Sequence, residues 1–193
     1  GAFYQPKAVI IDPSLLKSLP RTRMAEGMAE VIKYGCIRDA MLFESIEKGM
    51  FDLEWILERC VRIKTTVVQN DEYDNGERML LNFGHTMGHA IEKVSGYSTM
   101  THGEAVAIGM VTAARIGVKK NMTSEKDVER IISVLEKWHL PTSTDLPLEE
   151  LYNSMLSDKK KLSGKVYYVL LKSIGEAVTC PLSEAELRDV LEL

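Results

Sequence analysis

The apolar positions of the chain recur mostly at intervals of three and four residues, the spacing of helices that bury one face. This spacing predicts helices over residues 14–19, 23–34, 39–48, 52–70, 77–94, 101–120, 124–138, 147–157 and 183–191. Gly35 is expected to end the second helix, and Thr101 with Glu104 has the spacing of a capping box. The helix from 101 to 120 is rich in Gly and Ala, so other helices can approach it closely and we expect it to be central.

Strand signals are few. Residues 166–171 and 177–179 lie on either side of Gly175 and predict a small hairpin, while residues 71–76 predict a polar turn. Residues 7–12 have the apolar pattern of a strand buried on both faces, which needs a sheet to join. Because the rest of the chain offers little sheet, we expect it to begin inside a longer protein. The predicted fold class is mainly α, with a short N-terminal strand and a small β-hairpin.

Composition places the chain among ordinary globular proteins. It has 193 residues, which suggests one domain, with 45% hydrophobic and 27% charged residues. The net charge of −4 gives no general attraction to nucleic acid or to acidic membranes, and no apolar run approaches the roughly 18–20 residues that span a bilayer. Cys36, Cys60 and Cys180 lack zinc-type spacing and suggest reduced thiols, so we expect a cytoplasmic protein.

Residues 78–89 carry the strongest chemical signal. Read as one α-helix, they place four polar side chains within an arc of about 60°: Arg78, Asn82, His85 and His89. Gly84 and Gly88 flank the histidines and leave room for another group to approach. The competing interpretation is a solvated face that happens to hold two histidines.

Two further features would complete a metal site. His102 lies at the predicted start of a helix, and Glu30 lies three residues before Lys33 on one helical face. Taken alone, His102 is more simply a surface histidine, and Glu30 with Lys33 is more simply a surface ion pair. Together, Glu30, His85 and His102 form a two-imidazole, one-carboxylate set that is familiar from catalytic zinc sites, although spacing does not establish that they converge. The His85–His89 pair is also similar to that of zinc proteases, but Thr86 stands where their catalytic glutamate would be.

Basic residues accompany these motifs. Lys33, Lys64, Arg78 and the run 159–161 would suit a substrate that carries phosphate and carboxylate groups. The alternative is that the run is only a solvated face.

Three segments resemble the signature segments of the 3-dehydroquinate synthase family: residues 28–35 (MAEVIKYG), 81–92 (LNFGHTMGHAIE) and 102–110 (HGEAVAIGM). Residues 1–6 and 158–160 resemble further segments of that family, so the similarity extends over essentially the whole chain. The resemblance implies that residues 1–193 form the helical C-terminal domain that binds metal and substrate. The NAD-binding N-terminal domain is absent from this sequence, which has no glycine-rich dinucleotide fingerprint.

The resemblance also implies the chemistry. Zn²⁺, or Co²⁺, would be held by Glu30, His85 and His102. The substrate, 3-deoxy-D-arabino-heptulosonate 7-phosphate, would be bound and converted by Lys33, Lys64, Arg78, Asn82 and His89, with Lys159 or Lys160 as a further contact. The enzyme would be a phosphate-eliminating carbon–oxygen lyase that makes 3-dehydroquinate in the shikimate pathway, towards aromatic amino acids. We expect the isolated chain to be inactive without the NAD-binding half. A homodimer is possible, but the sequence does not give the oligomeric state.

Three other functions remain as alternatives. Another sugar-phosphate cyclase, such as a 2-deoxy-scyllo-inosose synthase, would share the metal ligands and most of the basic residues. Iron-dependent alcohol and glycerol dehydrogenases share a helical metal domain, but they act on uncharged substrates, against which Lys33, Arg78 and Asn82 argue. A non-catalytic helical interaction module would keep the fold but would have no working site.

Overall fold

The computed structural model describes residues 7–71, 76–97, 99–159 and 165–193. Within these ranges the chain is mainly helical with one two-stranded sheet, which confirms the predicted mainly α fold with a small β-hairpin. A 3₁₀ turn (Pro13–Ser18) precedes α1 (Arg21–Arg38), α2 (Ala40–Lys48) and α3 (Leu53–Asn70), and a 3₁₀ segment (Glu77–Asn82) precedes α4 (His85–Val94). There follow α5 (His102–Lys119), α6 (Glu125–Lys137), α7 (Leu148–Lys159), β1 (Lys165–Ser173), β2 (Glu176–Ser183) and α8 (Glu184–Leu191).

Side-chain caps begin most of these helices, as their sequences indicate. The side chains of Asp39, Asp52 and Ser124 accept hydrogen bonds from backbone N–H groups in the first turns of α2, α3 and α6. Full capping boxes begin α5, through Thr101 and Glu104, and α8. Each cap satisfies N–H groups that have no partner inside the helix, so these boundaries follow from local sequence.

Helix α5 lies at the centre of the molecule, where it contacts α1, α4, α6 and β1. Its small residues permit close approach. A Cβ atom added at Gly109 would lie 1.9 Å from the carbonyl oxygen of Gly84, so the backbones of α4 and α5 are in direct contact. The largest fully buried side chains around this centre include those of Tyr168, Phe43 and Phe83. The predicted central position of this helix is therefore confirmed.

The hairpin closes the fold on the side of β1. Strands β1 and β2 pair antiparallel with Tyr168 opposite Cys180, and Gly175 makes the turn with a φ of +94°. The N–H of Gly175 donates a hydrogen bond of 2.8 Å to the carbonyl oxygen of Cys36, which ties the turn to α1. No helix in the described ranges is both long and apolar enough to cross a membrane.

The structure corrects three expectations. Gly35 does not end its helix, because α1 continues to Arg38 and buries Gly35 against Phe43. A Cβ atom at Gly35 would lie 2.9 Å from the backbone nitrogen of Phe43, so glycine is needed here for packing and not for termination. Residues 8–12 form no strand, and Ile10 is 95% exposed. A strand needs a paired neighbour, and the two described strands pair with each other.

The third correction concerns residues 77–94, which are not one helix. The segment Glu77–Asn82 is 3₁₀, and Gly84 has a φ of +82° that stops the chain from continuing helically into α4. With about three residues per turn in a 3₁₀ helix, Arg78 and Asn82 do not share one face. The single polar stripe expected from the sequence is therefore wrong as geometry, although His85 and His89 remain one turn apart in α4.

Candidate metal centre and substrate site

Three side chains from separate parts of the chain meet at one point. Glu30 lies in the middle of α1, His85 is the first residue of α4, and His102 is the first residue of α5. One ligand atom from each lies within 4.8 Å of the other two. The Oε1 atom of Glu30 is 3.5 Å from Nε2 of His85 and 3.6 Å from Nε2 of His102.

These spacings suit a four-coordinate divalent ion. Ligands at about 2.1 Å from zinc in tetrahedral geometry lie about 3.4 Å from one another, close to the separations of 3.5 Å and 3.6 Å between Glu30 and the two histidines. In addition, Oε1 of Glu30 is buried and has no hydrogen-bond partner among the described residues. A buried acceptor without a partner is costly, and a cation between it and the two imidazoles would satisfy it. The donor set therefore fits zinc or a similar ion, with one coordination position left for another ligand.

Backbone contacts explain why the three residues meet. The start of α5 lies against α1 because Gly103 has no side chain, and a Cβ atom there would lie 2.6 Å from the Cα atom of Glu26. Glu26 is one turn before Glu30, so this contact sets the distance between Glu30 and His102. The contact of Gly109 with Gly84 sets α4 against α5 in the same way. The ligand positions thus follow from glycine contacts between helix backbones.

The second nitrogen of each imidazole has a defined partner. Nδ1 of His85 lies 3.2 Å from the carbonyl oxygen of Phe83, and Nδ1 of His102 lies 3.0 Å from Oε1 of Glu92. Both partners are acceptors, so each Nδ1 carries the proton, and in the neutral ring each Nε2 presents its lone pair to the centre. Glu92 was not singled out from the sequence. Its position, seven residues or two helical turns after His85, places it on the same helical face as that ligand, but this signal does not specify a contact with His102.

Lys33 lies directly beside the centre. Its Nζ atom is 2.5 Å from Oε2 of Glu30, and the residue is only 3% exposed. Burial of the ammonium is the largest effect and lowers the pKa of Lys33, although the charge of Glu30 opposes it. Burial favours the neutral form of Glu30, but Lys33 and the two histidines outweigh it and lower the pKa of the carboxyl. Glu30 is thus a carboxylate with one oxygen held by Lys33 and the other directed at the histidines.

His85 is prepared to act as a neutral ligand. Its side chain is 14% exposed, and burial, together with the nearby positive charge of Lys33, lowers the pKa of His85 to about 4. The imidazole is therefore unprotonated near neutral pH, as metal binding requires. The side chain of His102 is 48% exposed, so the centre is open to solvent on that side.

His89 lies beside the three ligands but is not one of them. Its ring centroid is 5.5 Å from that of His85 and 6.3 Å from that of His102, and the residue is exposed. It does not belong to the cluster of possible ligands found among the described residues, which uses His102 instead. An arrangement in which His85 and His89 jointly bind zinc, as in the proteases, is not what this structure brings together.

The other predicted substrate residues lie on α3 and on the 3₁₀ segment before α4. Lys64, exposed on α3, is close enough to contribute to the lowered pKa of Lys33. Asn82 is exposed at the end of the 3₁₀ segment, and the N–H of Arg78 donates to Oδ2 of Asp71 at 3.0 Å.

Part of the predicted basic surface lies outside the described residues. Lys160 and Lys161 lie outside the described residues, as does the side chain of Lys159, so the contact of Lys159 or Lys160 with substrate stays a prediction. Residues 1–6, which resemble a family segment, and residues 72–75 of the predicted polar turn also lie outside the described residues.

Comparison with known proteins identifies what the chain is similar to. The profile of the family described as 3-dehydroquinate synthase C-terminal matches residues 27–161. A 3-dehydroquinate synthase of Aliivibrio fischeri (strain MJ11) is 47% identical over 203 residues, which cover 100% of this chain and 56% of that protein. One from Clostridium perfringens (strain SM101 / Type A) is 46% identical over 183 residues, covering 91% of this chain and 52% of that protein. The chain thus spans about half the length of these curated relatives.

Solved structures share the fold. ValA, a 2-epi-5-epi-valiolone synthase from Streptomyces hygroscopicus subsp. jinggangensis 5008 with NAD⁺ and Zn²⁺ bound, matches with a TM-score of 0.82 at 24% identity. The match covers 94% of this chain and 53% of ValA. A 2-deoxy-scyllo-inosose synthase complexed with carbaglucose-6-phosphate, NAD⁺ and Co²⁺ matches with a TM-score of 0.76 at 24% identity, over 93% of this chain and 55% of that one.

Proposed function

Because the chain belongs to the 3-dehydroquinate synthase family, we propose that it supplies the metal- and substrate-binding half of that enzyme. The reaction would convert 3-deoxy-D-arabino-heptulosonate 7-phosphate to 3-dehydroquinate and phosphate, a step of the shikimate pathway. The observation that carries the proposal is the meeting of Glu30, His85 and His102 around an unsatisfied buried carboxylate oxygen. The relatives named above support this substrate over that of another cyclase, because they are 46–47% identical to the chain and the solved cyclases 24%.

The proposed cofactors are Zn²⁺ or Co²⁺ on this chain and NAD, held mainly by a half of the enzyme that this sequence does not include. When bound, the ion supplies Lewis acidity to substrate oxygen atoms, and NAD supplies a reversible hydride acceptor. We assign the ion to Glu30, His85 and His102. The orientation of both Nε2 atoms by their Nδ1 partners supports this assignment.

The substrate carries a phosphate and a carboxylate, and we assign its binding to the residues around the ion. Lys33 would contribute a positive charge that its burial keeps poorly hydrated and therefore effective. Lys64 and Arg78 would add charge for the anionic groups, and Asn82 would add an amide hydrogen bond. Lys159 or Lys160 would serve as a further cation for the substrate.

We assign proton transfer to His89. Its ring is exposed and lies one helical turn from His85, so it can reach a substrate bound at the ion without coordinating the ion itself. An imidazole is the side chain best suited to exchange protons near neutral pH. Lys33 holds Glu30 through Oε2 and would keep that carboxylate in its orientation while the substrate changes.

We further propose that residues 1–193 act as the C-terminal domain together with an NAD-binding N-terminal domain, with a homodimer as the assembly to be tested. The cytoplasm is the proposed location, which the three free thiols of Cys36, Cys60 and Cys180 support. A non-catalytic interaction module would not need the ligand geometry described above.

The first test is metal binding by this chain. Co²⁺ should give the strong visible absorption of a four-coordinate site, and calorimetry should show about one Zn²⁺ per chain. His85→Ala and His102→Ala should each abolish both signals. His139→Asn is the matched control, because His139 lies after α6 and lines a separate cavity with Arg21 and Trp138. If His139→Asn weakened binding as much as the other two, the assigned centre would be wrong.

The second test is turnover. The chain alone, given substrate, Zn²⁺ and NAD, should release no phosphate. Fused to the N-terminal part of the Aliivibrio fischeri relative, it should release phosphate from 3-deoxy-D-arabino-heptulosonate 7-phosphate. A fusion that binds NAD and Zn²⁺ but acts only on a different sugar phosphate would favour another cyclase activity. Turnover by the unfused chain would show that no second half is required.

A further inference from the structure

We propose that Glu92 is a positioning residue that fixes the tautomer and orientation of His102 and thereby sets the affinity of the metal centre. This inference rests on the metal centre proposed above and extends it to a residue that does not touch the ion.

The geometry around His102 gives Glu92 this role. Oε1 of Glu92 lies 3.0 Å from Nδ1 of His102, while Nε2 on the opposite side of the ring faces Oε1 of Glu30 at 3.6 Å. A carboxylate accepts hydrogen bonds and donates none, so the proton between Glu92 and the ring belongs to Nδ1. In the neutral imidazole Nε2 then carries the lone pair, which is the form that binds metal.

The two histidines differ in what else holds them. The side chain of His85 is 14% exposed and its Nδ1 donates to the carbonyl oxygen of Phe83, so burial and a backbone group restrain the ring. The side chain of His102 is 48% exposed at the first position of α5, where a ring is free to rotate unless a side chain holds it. Glu92 is only 15% exposed, so the carboxylate itself is well restrained on α4.

The charge of Glu92 also distinguishes the two ligands. A carboxylate on Nδ1 makes the imidazole a stronger electron-pair donor than a neutral carbonyl does. His102 is thus the more polarised and less buried ligand, whereas His85 is the more rigid one. Because Glu92 lies on the same helix as His85, two turns further along, helix α4 supplies one ligand directly and orients the other.

The experiment compares metal affinity in Glu92→Gln and Glu92→Ala, measured by competition for Zn²⁺ with a chromophoric chelator. Removing such a partner of a ligating histidine typically weakens binding about 10–100-fold. We expect Glu92→Ala to lie in that range and Glu92→Gln, which keeps an acceptor oxygen without charge, to lose less. Glu176→Gln is the matched control for net charge, because Glu176 pairs with Lys172 on the exposed hairpin.

A second readout separates positioning from folding. In the metal-free chain, ¹⁵N chemical shifts of the His102 ring should show the proton on Nδ1, and in Glu92→Ala the proton should move towards Nε2. A role of Glu92 in the fold alone would leave the tautomer unchanged. The inference is overturned if Glu92→Ala binds Zn²⁺ within about 2-fold of the parent, or if the tautomer does not change.

The outcome also distinguishes this inference from the proposed metal centre on which it rests. If His85→Ala and His102→Ala abolish binding while Glu92→Ala does not weaken it, only the role of Glu92 fails. If none of the three substitutions matters, the metal centre itself fails, and the inference fails with it.

Discussion

The substitution Gly109→Ala should push helix α4 away from α5 and thereby loosen both the fold and the metal centre. A Cβ atom at this position would lie 1.9 Å from the carbonyl oxygen of Gly84 and 2.8 Å from its carbonyl carbon. Carbon atoms in contact normally lie about 3.5–4.0 Å apart, so one backbone must move by about 1 Å or more. The obstacle is a main chain, which cannot rotate aside as a side chain would.

The carbonyl of Gly84 also has little freedom to turn. It accepts the hydrogen bond of 3.0 Å from the N–H of Gly88 that closes the first turn of α4. Turning it away would break that bond, so α4 is expected to shift as a unit. His85 is the first residue of α4 and would move with it, away from His102 on α5.

The free-energy cost of the clash can be isolated by comparison with a second helical glycine that has free space around it. Gly27 lies inside α1 with nothing within 4 Å of an added Cβ atom, so Gly27→Ala should stabilise the chain by up to about 1 kcal/mol through helix propensity alone. Gly109→Ala has the same gain in propensity, which cancels in the comparison. The remaining difference is the cost of overpacking, about 3 kcal/mol at the upper end of the usual range, because the clash is with backbone.

The assay is urea unfolding of the parent chain and both variants, followed by Zn²⁺ titration of each folded protein. We expect Gly27→Ala to keep the parent affinity and Gly109→Ala to bind Zn²⁺ more weakly, because a shift of about 1 Å exceeds the roughly 0.5 Å tolerance of a functional site. Equal stability of the two variants would refute the reasoning. So would a destabilised Gly109→Ala protein with unchanged Zn²⁺ affinity, since the helix contact would then not set the ligand positions.

Three other predictions follow from individual side chains. His89→Ala should change the free energy of unfolding by no more than about 0.5 kcal/mol, because the ring is exposed. The same substitution should lower turnover of the fused enzyme by about 100-fold. A lower melting temperature with unchanged turnover would instead show that the ring serves the fold. Acidification should destabilise the metal-free chain from about pH 6.5 to about pH 4, because the pKa of His85 is lowered to about 4 and only the unfolded chain takes up that proton in this window. The loss should be on the order of 1–3 kcal/mol, and His85→Asn should show a shallower pH dependence in urea unfolding. Asp39→Ala should cost about 1–2 kcal/mol, because Asp39 caps α2 through the N–H of Leu42 and accepts two hydrogen bonds from Arg59; Asp39→Asn keeps the capping oxygen and should cost less, so equal losses would contradict this account.

Some features of the metal centre were open to sequence reasoning and others were not. The residue types at positions 30, 85 and 102 identify a zinc donor set, and the structure brings these three residues together. The hydrogen bond from His102 to Glu92 was not foreseen, because the two residues lie on different helices whose angle no local pattern specifies. The burial of Lys33 was missed for the same reason, since an i, i+3 pair with Glu30 is equally consistent with a solvated surface.

Gly84 shows where periodicity misleads. Counting residues at the helical repeat through positions 77–94 places four polar groups on one face, but the count assumes an unbroken helix. The positive φ of Gly84 breaks it, and what holds Gly84 there is the approach of Gly109 from a helix that begins 18 residues later. A glycine in a sequence indicates that such a conformation is allowed, and only the neighbouring helix decides that it is adopted.

The sequence by itself determined the elements: where most helices begin, the hairpin around Gly175, and which residues can ligate a metal. These depend on interactions across a few residues, such as caps and the spacing of apolar positions, and are therefore written locally. Only the tertiary structure decided that α1, α4 and α5 meet at their backbones, which brings together ligands 55 and 17 residues apart (30 to 85, 85 to 102). That arrangement depends on shape complementarity between distant surfaces, a property of the packed chain that no segment of the sequence holds alone.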